Sequence, residues 1–332
     1  MIAPACPHEN YKHHGHDRYG NQRYRCTLCG ATWIDRQPKA LGDMRIPLDK
    51  AAMCLKMLLE GTSIRSTERL TGINRNTILN LLELVGQRAQ LFWQTRMRGI
   101  AAQSVQCDEV WGFVYCKEKA RLRNAWIGLS DQCGDAWTFL GIERDTKLIL
   151  AYHLGRREPE DTAWFTDKLR QATTGRFQVN TDGFKPYCTA IPESFHGSVD
   201  FAQLVKIYGN PPEASQGRYS PAEIKGIRKR VMWGHPNMDE VSTSFSERFN
   251  LTVRMGVRRM TRLTNAFSKK WENHEYAIAF FCLWYNFCRV HSTLKTTPAV
   301  EAGLTARPWS LEELLGELAR TEAAVGPTAT QS

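Results

Sequence analysis

Three acidic residues, Asp108, Asp182 and Glu247, stand where their surroundings make an acid costly or well placed for chemistry. Asp108 interrupts Val105-Gln-Cys-Asp-Glu-Val-Trp-Gly-Phe-Val-Tyr115, an otherwise β-forming and largely apolar run. Burying even a merely polar group without a partner costs roughly 2 to 7 kcal/mol, so a carboxylate there is expected to face a cation or a cleft. Asp182 follows a second short β run, Phe177-Gln-Val-Asn-Thr-Asp182-Gly, and Glu247 sits near the start of a helical pattern, Ser246-Glu-Arg-Phe-Asn-Leu. Hard divalent cations such as Mg²⁺ or Mn²⁺ prefer oxygen, and two ions a few Å apart need several carboxylate oxygens. Two aspartates and a glutamate on separate elements suit that need. One ion would lower the pKa of a water or 3′-hydroxyl nucleophile, and the other would stabilise the leaving oxygen of an in-line phosphodiester displacement. No Ser, Cys or Lys nucleophile is then required. Spacing alone is weakly specific, because the chain has 34 acids and ordinary surface salt bridges are the competing reading.

The elements that must position these acids begin at Ser104. Short strands are expected over Val105 to Tyr115, Ala125 to Ser130, Trp137 to Ile142 and Leu148 to His153, then a helix from Glu158 to Thr173 and a strand from Phe177 to Thr181. Hairpin-like strands followed by a helix and a strand ending in an acid describe an α/β domain with a mixed sheet. Ligands of open α/β sheets collect at such strand ends. Residues 209–237 are rich in Pro, Gly and basic side chains, including Arg218, Lys225, Arg228, Lys229 and Arg230, and read as a basic insertion over about 195–240. In the helix that begins near Thr243, Glu247, Asn250 and Arg254 share one face. Arg254, Arg258 and Arg262 continue as a stripe; a solvated face is the usual reading of such a stripe, but with no acid among them the arginines would repel one another without an anion. A further helix, His274 to about Val290, carries Phe280, Phe281, Trp284 and Phe287 as core, and the end from Thr321 to Ser332 is expected to be disordered.

Two smaller modules precede the α/β domain. Cys26-Thr-Leu-Cys29-Gly30 is a good zinc knuckle, with Tyr24 and Trp33 flanking it as a small core. The partner half, Cys6-Pro-His8-Glu9, holds one cysteine, so the expected zinc site is Cys6, Cys26, Cys29 and one further ligand. His8 stands first for that place, with His13, His14, His16 and Glu9 open; the competing reading is a ribbon that has lost its metal. From Leu48 the pattern is helical. Ser63 can cap a short helix, Ile64 to Leu70, and Asn74 a longer one, Arg75 to about Phe92, with Arg96, Arg98 and Gly99 as a linker. Short helix, turn, longer helix is the helix-turn-helix order, which would present Arg75, Asn76 and Thr77 to the major groove; a helical packing module is the alternative.

Composition agrees with a polyanionic partner. The chain of 332 residues is 42% hydrophobic, enough for one large core plus small modules, and its net charge of +10 favours nucleic acid over an acidic or neutral partner. Ten cysteines in such a chain suit reduced thiols and metal ligands better than a disulfide framework. No signal-like run opens the sequence and no apolar window approaches the ~20 residues of a membrane span, so a soluble, cytoplasmic and nucleoid-associated protein is expected.

Cys107-Asp108-Glu-Val-Trp, Asn180-Thr-Asp182-Gly and Ser246-Glu247-Arg-Phe-Asn-Leu-Thr-Val-Arg254, followed by Arg259-Met-Thr-Arg-Leu-Thr-Asn-Ala-Phe-Ser-Lys269, resemble insertion-sequence transposases of the IS1 type, which carry a DDE catalytic domain. Tyr285-Asn286-Phe-Cys-Arg289-Val-His291-Ser-Thr-Leu294-Lys-Thr-Thr-Pro298 also resembles the tail shared by many integrase-like transposases. The resemblance implies an RNase H-like fold and metal-dependent DNA cleavage and strand transfer. It makes Asp108, Asp182 and Glu247 the ligands of two Mg²⁺ (or Mn²⁺) ions and Arg254 the basic residue that follows the glutamate. The interval before Glu247 is long, which keeps Glu240 in reserve. The expected organisation is a zinc-ribbon-like module over 1–45, a helix-turn-helix module over 46–100, an RNase H-like catalytic domain over 101–305 and a tail over 306–332. Arg75, Asn76, Thr77, Arg258 and Arg262 are the expected DNA contacts, with a homo-oligomer assembling on DNA. A metal-dependent nuclease or resolvase that cuts without joining, and a catalytically silent DNA-binding repressor, are the alternatives.

Overall fold

The computed structural model describes residues 6, 8–18, 21–34, 38–123, 132–209, 224–262 and 264–325. β1 (Tyr11–His16), β2 (Gln22–Cys26) and β3 (Thr32–Ile34) form a small antiparallel sheet in that order. Tyr24 stacks on Trp33 with ring centroids 5.9 Å apart, and Tyr11 meets both rings edge-on. All of β1 is exposed, so apolar packing contributes little here and a metal cross-link would contribute most.

Three helices follow, α1 (Leu48–Leu59), α2 (Ile64–Thr71) and α3 (Arg75–Arg96). Ser63 Oγ accepts the Ser66 amide and Asn74 Oδ1 accepts the Asn76 amide, so both expected caps form, while Gly72 closes α2 in the left-handed conformation. α3 continues past Phe92, and Arg96 is its last residue rather than part of a linker.

Next come β4 (Ile100–Ala101), β5 (Ser104–Val114), α4 (Glu118–Arg123), β6 (Gly134–Glu143), β7 (Ile149–Gly155), α5 (Pro159–Ala172), β8 (Thr173–Thr174) and β9 (Phe177–Thr181). The chain ends with α6 (Tyr187–Phe195), β10 (Val199–Tyr208), β11 (Ile224–Trp233), α7 (Ser244–Gly256), α8 (Trp271–Phe287), α9 (Pro298–Glu301) and α10 (Leu311–Val325). The main sheet is mixed, six-stranded and ordered β11-β10-β9-β5-β6-β7. β5, β6 and β7 are antiparallel neighbours, β9 and β10 run parallel to β5, and β11 returns along β10. β5 is buried on both faces for most of its length, which is why its sequence reads as a nearly continuous apolar run.

Helices cover both faces. Phe139 of β6 meets Phe165 of α5, which meets Tyr187 of α6. On the opposite face, Gln106 Oε1 accepts the Phe245 and Ser246 amides and so caps α7 onto β5. α3 packs on α8 and α10 packs on α3. Gly86 permits the first of these approaches, since a Cβ there would lie 2.1 Å from Tyr276 Cβ. One continuous apolar core joins Leu55, Ile78, Phe281 and Leu314 of the helices to Val105, Phe139 and Phe165 of the sheet and its cover.

The structure departs from the sequence-based reading in three places. Residues 195–240, expected as an insertion, supply β10 and β11 of the main sheet; β11 escapes notice because none of it is buried, so no apolar alternation marks it. The arginine stripe is not one helical face. α7 ends at Gly256, pressed between Phe281 and the Leu59 carbonyl, and Arg258 lies in a separate 3₁₀ turn, Arg258–Met260. The expected tail over 306–332 contains α10, whose Leu311, Leu314, Leu315 and Leu318 are buried at helical spacing, and Thr321 to Val325 are helical rather than disordered. The strand expected from Ala125 to Ser130, Arg218 of the basic stretch and residues 326–332 lie outside the described residues.

Candidate metal-binding active site

β5 and β9 run parallel, and their last paired residues are Cys107 and Thr181. Asp108 and Asp182 each come next along the chain, so the parallel register sets their carboxylates side by side. This is the carboxyl end of β9, where ligands of open α/β sheets gather. β9 stops here while β5 runs on. Glu109, whose side chain leaves β5 on the opposite face from Asp108, can therefore reach the same place. One oxygen each from Asp108, Glu109 and Asp182 lie within 4.8 Å of one another.

The three acids are crowded and held by donors. Asp108 Oδ1 accepts the Glu109 amide at 2.8 Å and Oδ2 accepts Asn250 Nδ2 at 2.8 Å. Burial pushes the Asp108 carboxyl up to about 6, against the pull of the Glu109 amide, and the charges of Asp182 and Glu247 add to the rise. Burial likewise pushes Glu109 up to about 7, with Asp182 adding to the effect and Arg157 opposing it. Arg157 Nε donates to Glu109 Oε2 at 3.1 Å, and its Nη2 lies 3.6 Å from Asp182 Oδ2. The guanidinium is clamped over Phe184 at 4.2 Å and Trp137 at 4.9 Å. Asp182 Oδ1 accepts the Phe184 amide at 2.9 Å, which fixes the turn after β9. The buried Tyr187 hydroxyl faces the Glu109 carboxyl and, favouring its charged form, also opposes the rise. Three carboxylates this close, two of them pushed upward by burial and by their neighbours' charge, fit a hard divalent cation, which would neutralise their mutual repulsion.

Glu247 lies in the first turn of α7. Its charge acts on Asp108, but its oxygens fall outside the group formed by Asp108, Glu109 and Asp182. Lys206 pairs with it, and Thr243 Oγ1 donates to its Oε1 at 2.7 Å. Arg254 Nη1 donates to the Trp111 and Met260 carbonyls at 3.1 and 3.0 Å, so it lies along β5. Glu240 forms an ion pair with Arg144 at 2.8 Å. Sequence reasoning missed Glu109 and Arg157. The first is adjacent to Asp108 in the motif but on the other face; the second carries no local signal.

At the amino end, donor atoms of Cys6, His8, Cys26 and Cys29 lie within 4.8 Å of one another and could hold a metal ion. Cys29 Sγ is 3.3 Å from His8 Nδ1, and Cys6 Sγ is 3.7 Å from Cys26 Sγ. The backbone amide of Cys29 and the His8 ring bring the Cys26 thiol down to about 6, toward the thiolate that metals bind. Among the candidates for the fourth position, the fold brings His8 to the cysteines. Three sulfurs and an imidazole suit zinc by chemistry. Arg75 and Asn76 are exposed at the start of α3 with Thr77 half-buried beside them, while Arg258 is half-buried and Arg262 exposed.

No protein-family model matches the sequence, and no curated protein matches it. Among solved structures, a piggyBac transposase synaptic complex with hairpin DNA superposes with a TM-score of 0.36 at 9% identity, over 85% of this chain and 73% of that one. A likeness at that level lends no weight to either fold or function.

Proposed function

We propose that the chain is a DNA transposase that binds element ends and carries out divalent-metal-dependent strand cleavage and strand transfer. The observation that carries this reading is the side-by-side placement of Asp108, within β5, and Asp182, at the carboxyl end of the adjacent parallel β9, with α7 presenting Asn250 and Glu247 toward them. An antiparallel β5-β6-β7 unit followed by parallel β9 and β10 supports an RNase H-like assignment. The capped pair of α2 and α3 supports a helix-turn-helix, with Arg75, Asn76 and Thr77 at the DNA and Arg258 and Arg262 on its phosphates. The motifs that resemble those of IS1-type transposases point the same way, as does the net charge of +10.

Asp108, Asp182 and Glu247 are the proposed ligands of two Mg²⁺ or Mn²⁺ ions, and Glu247 joins them once Lys206 lets it go. When bound, such a pair activates the attacking hydroxyl and stabilises the leaving oxygen. Asn250 and the Glu109 amide hold the Asp108 carboxylate in a fixed direction, and Arg254 anchors α7 along β5. Arg157 keeps positive charge beside Asp182 and Glu109, which eases the approach of a phosphate. A zinc-bound amino-terminal module and assembly of a homo-oligomer on DNA complete the proposal.

The test is strand transfer with candidate end DNA and Mg²⁺ for single alanine variants of Asp108, Asp182 and Glu247. Loss of both cleavage and joining in each, with DNA binding retained, is expected because ligands of one site act as a unit. If Glu247→Ala stays active while Glu240→Ala is dead, the third ligand is Glu240. Cleavage without joining by the parent protein would make it a nuclease or resolvase, and binding without cleavage a repressor.

A further inference from the structure

The register of the main sheet leaves one part of it unsupported. β9 ends at Thr181, opposite Gln203, yet β10 runs on to Tyr208 with β11 alongside. Residues 204–208 and 224–229 thus form a two-stranded ribbon that overhangs the sheet end where Asp108, Glu109 and Asp182 gather. Two contacts fix its root beside them. Lys206 pairs with Glu247, and Val205 lies against Gly183, the residue after Asp182, 3.3 Å from where a Cβ would sit.

The outer strand of this ribbon is exposed and basic. None of the ten residues of β11 is buried, and Lys225, Arg228, Lys229 and Arg230 are all exposed. Lys229 Nζ donates to the Met238 carbonyl; among the described residues no carboxylate pairs with Lys225, Arg228 or Arg230. Among the described residues of β10 and β11 the one acid is Asp200, near the start of β10 and outside the overhang, where it pairs with Arg176. Charge on an edge strand deters pairing with other chains, but mixed signs serve that purpose as well. Clustered cations without an acid repel one another and are relieved by a polyanion. A two-stranded β-ribbon is also a shape the major groove admits.

We propose that the β10–β11 ribbon is a second DNA-contacting arm, with Arg228, Arg230 and Lys225 holding the phosphate backbone of a duplex beside the acid cluster. The proposal takes its ligand, DNA, from the function proposed above, but it does not depend on the metal chemistry. Duplex held on the arm enters the site from the β10 side, while the start of α3 holds a separate stretch.

The experiment measures affinity of the full chain for a labelled duplex of random sequence, in EDTA, across a salt series. Each phosphate contact adds about 0.9 to the slope of log K against log salt, so K225A/R228A/R230A should flatten the slope by up to about 2.7 and weaken binding more than tenfold at low salt. R228K/R230K keeps the charge and should keep the slope. A control set on α1, α5 and α10, K50A/R170A/R320A, should leave it nearly unchanged. Far-ultraviolet circular dichroism and the unfolding midpoint establish that each variant is folded, and a charge-neutral K225Q/R228Q/R230Q set replaces the alanine set should that one misfold. An unchanged slope in the neutralised set overturns the proposal, as does an equal loss in the control set. A variant that changes from dimer to monomer with its slope intact also overturns it, because the arm would then serve a second copy of the chain. Asp108→Ala reads the catalytic proposal separately: if it still cleaves DNA, that reading fails while the slope result stands.

Discussion

Replacing Asp108 with asparagine should stabilise the metal-free protein at neutral to alkaline pH. In the folded chain burial raises the Asp108 carboxyl from 3.8 to about 6, so the folded state binds this proton more tightly than the unfolded state does. The sign follows from linkage. The stabilising effect of the proton is complete below the unfolded value and is lost as pH rises through about 6, leaving a buried charge that costs about 2 to 3 kcal/mol. Asparagine removes that charge. It also keeps the local hydrogen bonds: its carbonyl can accept the Glu109 amide, and its NH₂ can donate to Asn250 Oδ1, which is buried without a partner among the described residues and becomes available when that amide turns over. Urea unfolding in EDTA should therefore show Asp108→Asn more stable than the parent by about 2 kcal/mol at about pH 8, and equal to it near pH 4. Adding Mn²⁺ should reverse the order, because an ion at a hundredfold its dissociation constant stabilises the parent by about 2.7 kcal/mol and the variant scarcely at all. A stability difference that is flat across pH, or an equal Mn²⁺ effect on both proteins, would refute the reasoning.

Four other outcomes are expected. Arg157→Ala leaves the Glu109 side chain, 1% exposed, without its cation, and should cost about 2 kcal/mol after allowance for the 36% exposure of Arg157; adding Glu109→Gln should restore most of it in a double-variant unfolding cycle. Gly86→Ala drives a Cβ into Tyr276 and should lower stability by at least about 1 to 3 kcal/mol in the same assay, by forcing α3 away from α8. Metal analysis of the purified full chain should find one zinc, and its removal by a chelator should abolish the Tyr24–Trp33 near-ultraviolet signal while the main sheet stays folded. Arg75→Ala and Asn76→Ala should each weaken binding to specific end DNA by about 1 to 3 kcal/mol and random DNA less, as titrations with the two duplexes would show.

Features governed by neighbours in the chain were legible in the sequence. Asp108 was visible as an acid in a β-forming run, Ser63 and Asn74 as caps, and Cys26 and Cys29 as a knuckle, because strand period, capping and tight-turn spacing are settled within a few residues. Asn250 was placed on the Glu247 face by helical spacing alone, and it does bond to Asp108. Other matters needed the tertiary structure. That Asp182 lies beside Asp108 depends on the register of β5 against β9, and that Glu109 joins them depends on where β9 stops. Arg157 as their counter-charge, His8 among several nearby histidines, and Lys206 holding Glu247 all follow from chain segments far apart in sequence. β11 has no buried face to give it a period, and it becomes a strand by pairing with β10. Sequence pattern reports what each segment must bury; which charge neutralises which is decided when the chain closes its long loops, and no local pattern records that choice.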